Sequence, residues 1–467
     1  MRSLLHFFRL FLKRVVLRTE RLCFADFRAP QQETIALTPE TSRPAFSSEQ
    51  LRICLFIENL GSGGAERQLV FLARGLAARG HAVEVLCFTR ENANAQYLAL
   101  LEKASVPLRV VDRFSLIRNR SRCLRVLKSI QGLRLLPAWL RPSSLAVLAF
   151  LLEHDFHILH TYLDGPNCMG GVAGLLAGIP VIRLSARSLS PAHPSNQAMS
   201  PYAASFRMCY RALLGMPNIS LEANSQAGAK DYARWLGLPE SSVAVTHNGI
   251  PHDFLELSVP VDGRTNPPLI HPNGEPTLLC IQRMSEEKRP TLPIHVLTRV
   301  REKLPKARLL YVGAGPLWDE VQACVTHLHQ ESAVTLLGTR SDIPLIVRSA
   351  QLFLLTSRRE GFPNVLMEAM LAGLPSVAVN VGGVAELVEQ GVHGMLVENP
   401  EEDSPQAFSM LAQSMADAVV GLWRTQARAK TMGDAARARI EQKFSVERLA
   451  KQAEQAYYRI ASHGTSA

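Results

Sequence analysis

The chain has 467 residues, 47% hydrophobic and 20% charged, which is a globular composition too long for one ordinary core and suggests two domains plus extensions. Its formal net charge is +10, but no helix-turn-helix, zinc-finger or RNA-binding signature accompanies the basic excess, so we expect no nucleic-acid partner. The 8 cysteines are scattered and no long apolar run occurs, which excludes a disulfide framework, a cysteine zinc site and a transmembrane helix, and fits a cytosolic protein.

The first 50 residues combine a basic segment with a linker. Residues 1–24 interleave arginine and lysine with leucine, phenylalanine and valine, and the charges interrupt any apolar core of a signal peptide. This pattern favours an amphipathic helix lying on an anionic bilayer, with an ordinary basic surface helix as the alternative. Residues 25–50 are rich in Pro, Ser, Thr and Gln and are predicted to be a linker.

Residues 51–262 are predicted to form a first domain of alternating strands and helices. The apolar run LRICLFIENL leads into the glycine loop GSGGAERQ, an amphipathic helix and a second strand, which is a βαβ unit. The alternation continues through FHILHTYL, PVIRLSAR, ISLEANS and VAVTHNGI. Between them, residues 113–141 carry eight Lys/Arg and no Asp or Glu. This stretch is a second candidate for membrane contact, unless it simply packs as a helix with solvated arginines.

A polar, proline-rich linker at residues 263–276 separates this domain from a second one at 277–445. There the alternation restarts with TLLCIQR, ARLLYVGAGP, AVTLLG, AQLFLLTS and PSVAVN, and residues 446–467 are predicted to be a helix and tail. Two sets of parallel βα units predict an α/β fold. It consists of two doubly wound Rossmann-like domains facing each other across a cleft, with the ligand at the carboxyl ends of the strands.

The stretch SRREGFPNVLMEAMLAGLPSVAVNVGGVAELV contains two spaced glutamates. Glu360 lies in the loop after a buried strand, whereas Glu368 lies about one turn into the helix that Pro363 starts. The two carboxylates are therefore expected at different depths along one ligand. Free N–H groups at this helix start, and at another after Gly382 and Gly383, suit the oxygens of a diphosphate.

At these residues the chain resembles the retaining, nucleotide-sugar-dependent glycosyltransferases of the GT-B fold, specifically family 4. The spacing of Glu360 and Glu368 matches that family's E-x7-E block. Four further blocks agree in order: GGAERQ at 63–68, HNGI at 247–250, RMSEEK at 283–288 and VGAGPL at 312–317. The resemblance covers roughly residues 51–460.

The resemblance implies roles for individual residues. Arg283 and Lys288 hold the donor diphosphate and stabilise the leaving nucleotide as its negative charge develops. Glu360 bonds the transferred sugar or supports positive charge at its anomeric carbon, and Glu368 bonds the ribose hydroxyls. Backbone contacts to the donor, or a wall for its sugar and nucleotide, are implied for Gly63, Gly64, Gly361, Phe362, Pro363, Asn364 and Val365.

Two positions depart from the family pattern. The family often has His-x-His where this chain has His160 and Tyr162, and glycine where it has Gln282. His160 is therefore a candidate catalytic residue with a core histidine as the alternative. Tyr162 and Asp164 are possible acceptor-side groups, although tyrosine is a poor base at neutral pH. Asn248 in the HNGI block is expected to organise a strand end.

The predicted mechanism needs no cofactor or metal. No Asp-x-Asp occurs in the chain, so charge neutralisation falls to Arg283, Lys288 and helix starts. The resemblance implies retention at the anomeric carbon by same-face attack, with the leaving phosphate taking the acceptor's proton.

We therefore expect a cytosolic glycosyltransferase, peripheral on the inner face of the cell membrane, that uses a UDP- or GDP-sugar. The expected acceptor is a lipid-linked saccharide in surface polysaccharide or lipopolysaccharide synthesis. A non-catalytic sugar- or partner-binding scaffold of transferase origin is an alternative, as is a sugar-nucleotide epimerase or a phosphorylase on the same fold.

Overall fold

A computed structural model describes residues 50–111, 136–193, 200–256 and 276–464. The basic segment at 1–24, the linker at 25–50 apart from its last residue, and most of the basic stretch at 113–141 lie outside these ranges. The linker predicted at 263–276 lies outside them as well, apart from its last residue. Within the described ranges, no helix is both long enough and apolar enough to cross a bilayer.

The first sheet has seven strands in the order β3-β2-β1-β4-β5-β6-β7, and the registers from β3 to β6 are parallel. Every residue of β4 and β5 is buried, as expected for parallel strands covered on both faces. From β1, the strands β2 and β3 follow towards one side of the sheet, and β4 to β7 follow towards the other. The topological switch point therefore lies between β1 and β4. The strands are β1 Arg52–Phe56, β2 Ala82–Cys87, β3 Leu108–Val110, β4 Ile158–Tyr162, β5 Val181–Ala186, β6 Ile219–Ala223 and β7 Val243–Val245.

Helices alternate with these strands. The first, which was predicted to be amphipathic, buries Leu69, Leu72 and Leu76. The second begins where the Asn94 side chain accepts hydrogen bonds from two backbone N–H groups, a helix cap. The helices are α1 Gly64–Ala78, α2 Ala95–Lys103, α3 Arg141–Leu151, α4 Asp164–Leu176, α5 Ala203–Leu214 and α6 Gln226–Leu236.

The second sheet has six strands in the order β10-β9-β8-β11-β12-β13, all paired in parallel. Its switch point lies between β8 and β11. The strands are β8 Thr277–Ile281, β9 Arg308–Val312, β10 Val334–Gly338, β11 Leu352–Leu355, β12 Ser376–Asn380 and β13 Met395–Glu398.

Proline opens three helices of this part, at Pro293, Pro344 and Pro405. Its missing N–H costs nothing there, because the first turn of a helix has no acceptor for it. The helices are α7 Leu292–Lys303, α8 Trp318–His327, α9 Ile343–Arg348, α10 Asn364–Leu371, α11 Val384–Leu387, α12 Pro405–Arg424, α13 Gln426–Lys443 and α14 Val446–Gly464.

The chain divides into two compact units, which confirms the predicted α/β fold of two Rossmann-like domains. Among the described residues, the first unit draws on 50–223, 229–244 and 450–464, and the second on 224–228 and 245–449. These bounds differ from the predicted 51–262, 277–445 and 446–467. Alternation of strands and helices cannot reveal which core an amphipathic final helix covers. The buried Tyr457 of α14 belongs to the first unit.

Candidate active site

The residues predicted to bind the nucleotide-sugar donor lie at the carboxyl edge of the second sheet. Arg283 and Lys288 follow β8, and Glu360 follows β11, the strand paired beside it. Ligands of open parallel sheets bind at this edge, beside the switch point. Arg283 is exposed, whereas Lys288 ends a short 3₁₀ helix and is partly covered. The structure thus places the three residues on neighbouring loops.

Lys288 and Glu360 form a close ion pair. Nζ of Lys288 lies 2.6 Å from Oε1 of Glu360, and Oγ of Ser357 donates to the same oxygen at 2.6 Å. The two charged side chains are 24% and 10% exposed, so water screens the pair only in part. The pair presents an ammonium suited to phosphate oxygens beside a carboxylate suited to hydroxyl groups. Sequence reasoning missed Ser357, although it stands three residues before Glu360.

Gly382 and Gly383 pack directly against the Glu360 loop. A Cβ on Gly382 would lie 1.7 Å from the carbonyl oxygen of Glu360, and one on Gly383 would lie 2.2 Å from that of Gly361. The N–H of Gly383 also donates to the Gly361 oxygen at 3.0 Å. Because α11 has only four residues, its dipole offers little to a diphosphate. The structure therefore gives these glycines a packing use, and anion binding at this helix start stays a prediction.

Gly313 and Gly315 support the Arg283 loop in the same way. A Cβ on Gly313, whose φ is 128°, would lie 1.9 Å from the carbonyl oxygen of Gln282. One on Gly315 would lie 2.4 Å from that of Met284. The loop between β8 and α7 is thus held by direct backbone contact. Gln282, the departure from the family pattern, fits because its buried side chain donates to the Tyr311 hydroxyl at 2.9 Å.

The stretch from Gly361 to Val365 is fixed by the HNGI block. Nδ2 of Asn248 donates to the carbonyl oxygen of Phe362 at 2.9 Å and to Oδ1 of Asn364 at 2.8 Å. The His247 ring packs against Phe362, with centroids 4.8 Å apart. Pro363 is the residue that caps α10. Asn248 therefore orders the candidate donor loop, rather than only its own strand end.

Glu386 is a site residue that sequence reasoning missed. Its carboxylate accepts from the backbone N–H groups of Gln226 and Ala227, at 2.9 and 3.2 Å, and Oε2 lies 2.7 Å from Nε2 of His247. Burial alone would raise the pKa of Glu386, but these three bonds hold it below the ordinary value. Glu386 therefore remains a carboxylate at neutral pH and fixes His247.

Glu368 lies on the buried side of α10. It is the fifth residue of that helix, and its exposure is 1%. This confirms the predicted position of about one turn into the helix. The bond to ribose stays a prediction.

In the first unit, Gly63 and Gly64 open α1 as expected. A Cβ on Gly63, however, would lie 2.0 Å from Oε2 of Glu66. Burial raises the pKa of the Glu66 carboxyl, with a smaller contribution of the same sign from Glu58. The predicted approach of a diphosphate to Gly63 and Gly64 therefore competes with a carboxyl group already folded over this helix start.

His160 has the contacts of the core-histidine alternative. It is 1% exposed, with Nε2 3.1 Å from Oε1 of Glu222 and Nδ1 2.8 Å from the hydroxyl of Tyr457. Burial lowers the pKa of His160, so the neutral ring donates from Nε2 to Glu222 and accepts from Tyr457 at Nδ1. Both ring nitrogens are thus engaged by protein groups.

Tyr162 and Asp164 stand at the end of β4. Tyr162 is 1% exposed, and burial raises the pKa of its hydroxyl, so it is no base. Oδ1 of Asp164 accepts from the hydroxyls of Tyr210 and Tyr232, each at 2.8 Å. Burial raises the pKa of the Asp164 carboxyl, while the two tyrosine bonds act in the opposite direction. The side chain of Asp164 is therefore fixed at the carboxyl edge of the first sheet.

A cavity of about 690 Å³ opens at the same edge, beside the ends of β1, β2 and β3. Its lining mixes the polar side chains of Glu58 and Thr89 with the aromatic side chains of Phe88 and Trp139. The volume falls within the range of about 300–1,000 Å³ typical of small-molecule sites. The described lining contains none of the predicted site residues, and sequence reasoning missed this space.

Two family matches cover the candidate site residues. Residues 62–254 match the family described as Glycosyltransferase Family 4, and residues 275–419 match the one described as Glycosyl transferases group 1. The chain belongs to glycosyltransferase family 4. All the predicted site residues of the chain lie inside the two matched ranges.

Among curated proteins, the chain is similar to a Vi polysaccharide biosynthesis protein (VipC/TviE) of Salmonella typhi, at 26% identity over 396 residues, or 80% of this chain. It is 28% identical to an N-acetyl-alpha-D-glucosaminyl L-malate synthase of Bacillus anthracis over 40% of the chain. It is 23% identical to an Escherichia coli UDP-Gal:alpha-D-GlcNAc-diphosphoundecaprenol alpha-1,3-galactosyltransferase over 56%. The matched regions span 66%, 46% and 67% of those three proteins.

The fold of the chain recurs in solved glycosyltransferase structures. Anabaena HepE in complex with UDP and glucose superposes with a TM-score of 0.66 over 88% of this chain and 100% of that one, at 22% identity. WaaG, a glycosyltransferase involved in lipopolysaccharide biosynthesis, gives a TM-score of 0.61 over 87% and 99%, at 16% identity. These likenesses show the GT-B fold.

Proposed function

We propose that this transferase moves a sugar, with retention at the anomeric carbon, from a UDP- or GDP-linked donor to a saccharide acceptor. The observation that carries the proposal is the ion pair of Lys288 and Glu360 at the switch point of the second sheet, with Ser357 on the same carboxylate oxygen. The Lys288 ammonium is suited to binding a diphosphate, and the adjacent Glu360 carboxylate is suited to binding a sugar. The family supplies the reaction class.

Each residue that binds the donor has its own role, and three of them stabilise charge that develops during transfer. Arg283 and Lys288 neutralise the diphosphate as the bond between the anomeric carbon and the phosphate oxygen breaks. Glu360 stabilises the positive charge that develops on the anomeric carbon, and Glu368 binds the ribose. The acceptor hydroxyl attacks from the face that the phosphate leaves, and a phosphate oxygen takes its proton. No metal ion is needed in this scheme. Gly361 to Val365 line the donor.

The proposed acceptor is a lipid-linked saccharide used in cell-surface polysaccharide synthesis, reached by docking at the inner face of the cell membrane. Two relatives support this choice, because one is named for Vi polysaccharide biosynthesis and another for a diphosphoundecaprenol acceptor. The basic segments at 1–24 and 113–141 supply the charge for an anionic surface.

A donor screen tests the proposal. Purified protein is mixed with UDP- and GDP-sugars, and both the midpoint of thermal unfolding and the release of nucleotide are measured. We expect at least one donor to raise the midpoint and to be slowly hydrolysed. A protein that binds a donor but never releases nucleotide, with or without saccharide acceptors, would favour the scaffold alternative.

A further inference from the structure

Trp139 is an aromatic side chain of the first unit that is both held in place and open to solvent. It lies shortly before α3, is 49% exposed, and lines the cavity beside the ends of β1, β2 and β3. Its ring packs against Tyr202, with centroids 5.3 Å apart, and against Phe206, with centroids 6.4 Å apart. A large aromatic surface left open beside a cavity is a common sign of a ligand site.

Phe88 is a second aromatic wall of the same cavity. It follows β2 and packs edge-on against the buried Phe56 of β1, with ring centroids 5.4 Å apart and planes at 87°. Its backbone N–H donates to the carbonyl oxygen of Glu58 at 3.0 Å, which ties the ends of β1 and β2 together. Phe88 and Trp139 are thus each held by another aromatic ring before any ligand arrives, as a preorganised site requires.

Three polar side chains of the cavity offer hydrogen bonds of both kinds. The Glu58 carboxylate is exposed, and among the described residues it has no hydrogen-bond donor and no cation as a partner. Oγ1 of Thr89 accepts from the N–H of Glu91 at 2.9 Å, and Oδ1 of Asn59 accepts from the N–H of Gly61 at 3.0 Å. These bonds orient the two side chains, so that the Thr89 hydroxyl and the Asn59 amide can donate while Glu58 accepts.

The charge of the cavity wall narrows the class of ligand. The described lining contains the carboxylate of Glu58 and no lysine, arginine or histidine. A phosphate or a uronate would be repelled by this carboxylate. A lipid chain would take the carboxylate out of water without replacing its hydrogen bonds, which costs free energy. An uncharged ligand with one apolar face and several hydroxyl groups meets neither penalty.

We propose that this cavity binds an uncharged saccharide unit of the glycosyl acceptor, stacked on Trp139. This inference rests on the proposed transferase function. The C–H groups of a pyranose ring make one of its faces apolar, and covering an aromatic ring removes that face from water. The hydroxyl groups at the ring edge donate to Glu58 and accept from Thr89 and Asn59. The cavity lies at the carboxyl ends of the strands, where ligands of parallel sheets bind.

The test is a titration of the full-length protein with UDP in excess, followed by calorimetry and by tryptophan fluorescence. Glucose, galactose, mannose and N-acetylglucosamine are added separately, with farnesol as an apolar chain for comparison. We expect saturable binding of at least one sugar together with a change in tryptophan emission, because the stacked ring replaces water over the indole. The uronate of that sugar differs by a carboxylate at C6 and should bind at least tenfold more weakly.

Trp139→Ala is expected to weaken sugar binding at least tenfold and to abolish the change in emission. Trp139→Phe keeps a ring that can pack on Tyr202 and Phe206, so we expect a smaller loss, and this variant serves if the alanine variant does not fold. Glu58→Gln should weaken binding of the neutral sugar and reduce the disadvantage of its uronate, a ratio that a purely structural role would not change. Glu102→Gln alters an exposed acid of α2 and should change neither quantity.

The possible results separate this assignment from the proposed function. Wild-type protein that binds UDP but none of the sugars would overturn the saccharide site, as would sugar binding that both variants at Trp139 retain. Farnesol binding that requires Trp139, without sugar binding, would overturn it in favour of an apolar chain. Sugar binding that requires Trp139, in a protein that binds no nucleotide, would support the saccharide site and overturn the proposed transferase function.

Discussion

Replacing Lys288 with alanine removes both the proposed diphosphate contact and the partner of Glu360. A hydrogen bond to a charged group contributes about 1.5–3 kcal/mol. UDP binding should therefore weaken about 10- to 150-fold. The physical reason is the position of the ammonium at the carboxyl edge of the second sheet, 2.6 Å from the Glu360 carboxylate, which is proposed to face the sugar.

The same variant should lose stability. Breaking a fully buried pair costs about 3–5 kcal/mol, and an exposed pair contributes about 0–1 kcal/mol. With side chains 24% and 10% exposed, the Lys288–Glu360 pair falls between these limits, so we expect a loss of about 1–3 kcal/mol. Ser357 still donates to Glu360, which keeps the loss from the upper limit.

The matched control is Lys303→Ala. Lys303 pairs with Asp417 at 2.9 Å, but these side chains are 44% and 53% exposed. It changes the net charge equally, and we expect little effect on UDP affinity or stability. Calorimetric titration with UDP and denaturant unfolding measure both quantities. Equal UDP affinities in the wild type and the Lys288 variant, with the fold intact, would refute the placement of the diphosphate.

Four further predictions follow from the site. Glu360→Gln should mostly lower kcat and Glu368→Gln should mostly raise the KM for the donor, so identical kinetic defects would contradict the division of roles. Chelator-treated enzyme should keep its activity, and full loss with recovery on added magnesium or manganese would disprove the metal-free scheme. Glu386→Gln should lower the unfolding midpoint at pH 7. The three bonds that depress the pKa of Glu386 stabilise the fold only when the carboxylate is ionised. The difference in unfolding midpoint between wild type and variant should therefore shrink as the pH falls below 4.5, the ordinary pKa of a glutamate. A difference that stays constant with pH would contradict this. The amount of protein that sediments with liposomes should increase with anionic lipid and decrease with salt, and it should fall when the arginines within 113–141 become glutamine. Protein that stays in the supernatant throughout would leave only the alternative that this stretch packs as a helix with solvated arginines.

The two-domain fold and the loops of the donor site could be predicted because both depend on local pattern. Alternating apolar runs and helical faces mark βα units, and parallel strands place their carboxyl ends at one edge. The positions of Arg283, Lys288 and Glu360 after β8 and β11 follow from that rule alone. Their loops are neighbours because β8 and β11 pair.

Side-chain direction and long-range partners could not be predicted. The hydroxyl that faces His160 belongs to Tyr457, 297 positions away, and no local pattern links the two residues. The packing of Gly382 and Gly383 could not be predicted either, because the sequence cannot show that a carbonyl oxygen lies where a Cβ would stand.

The central claim is transfer of a sugar from a nucleotide-diphosphate donor with retention, and proton NMR of the reaction tests it most directly. Each UDP- or GDP-sugar is incubated with the protein, with Glu360→Gln as the control, and the anomeric signals are followed from the first minutes. We expect release of UDP or GDP together with a sugar product that first appears in the donor's own anomeric configuration, and much slower release by the variant. A product that first appears as the opposite anomer, or turnover at the wild-type rate by the variant, would contradict it.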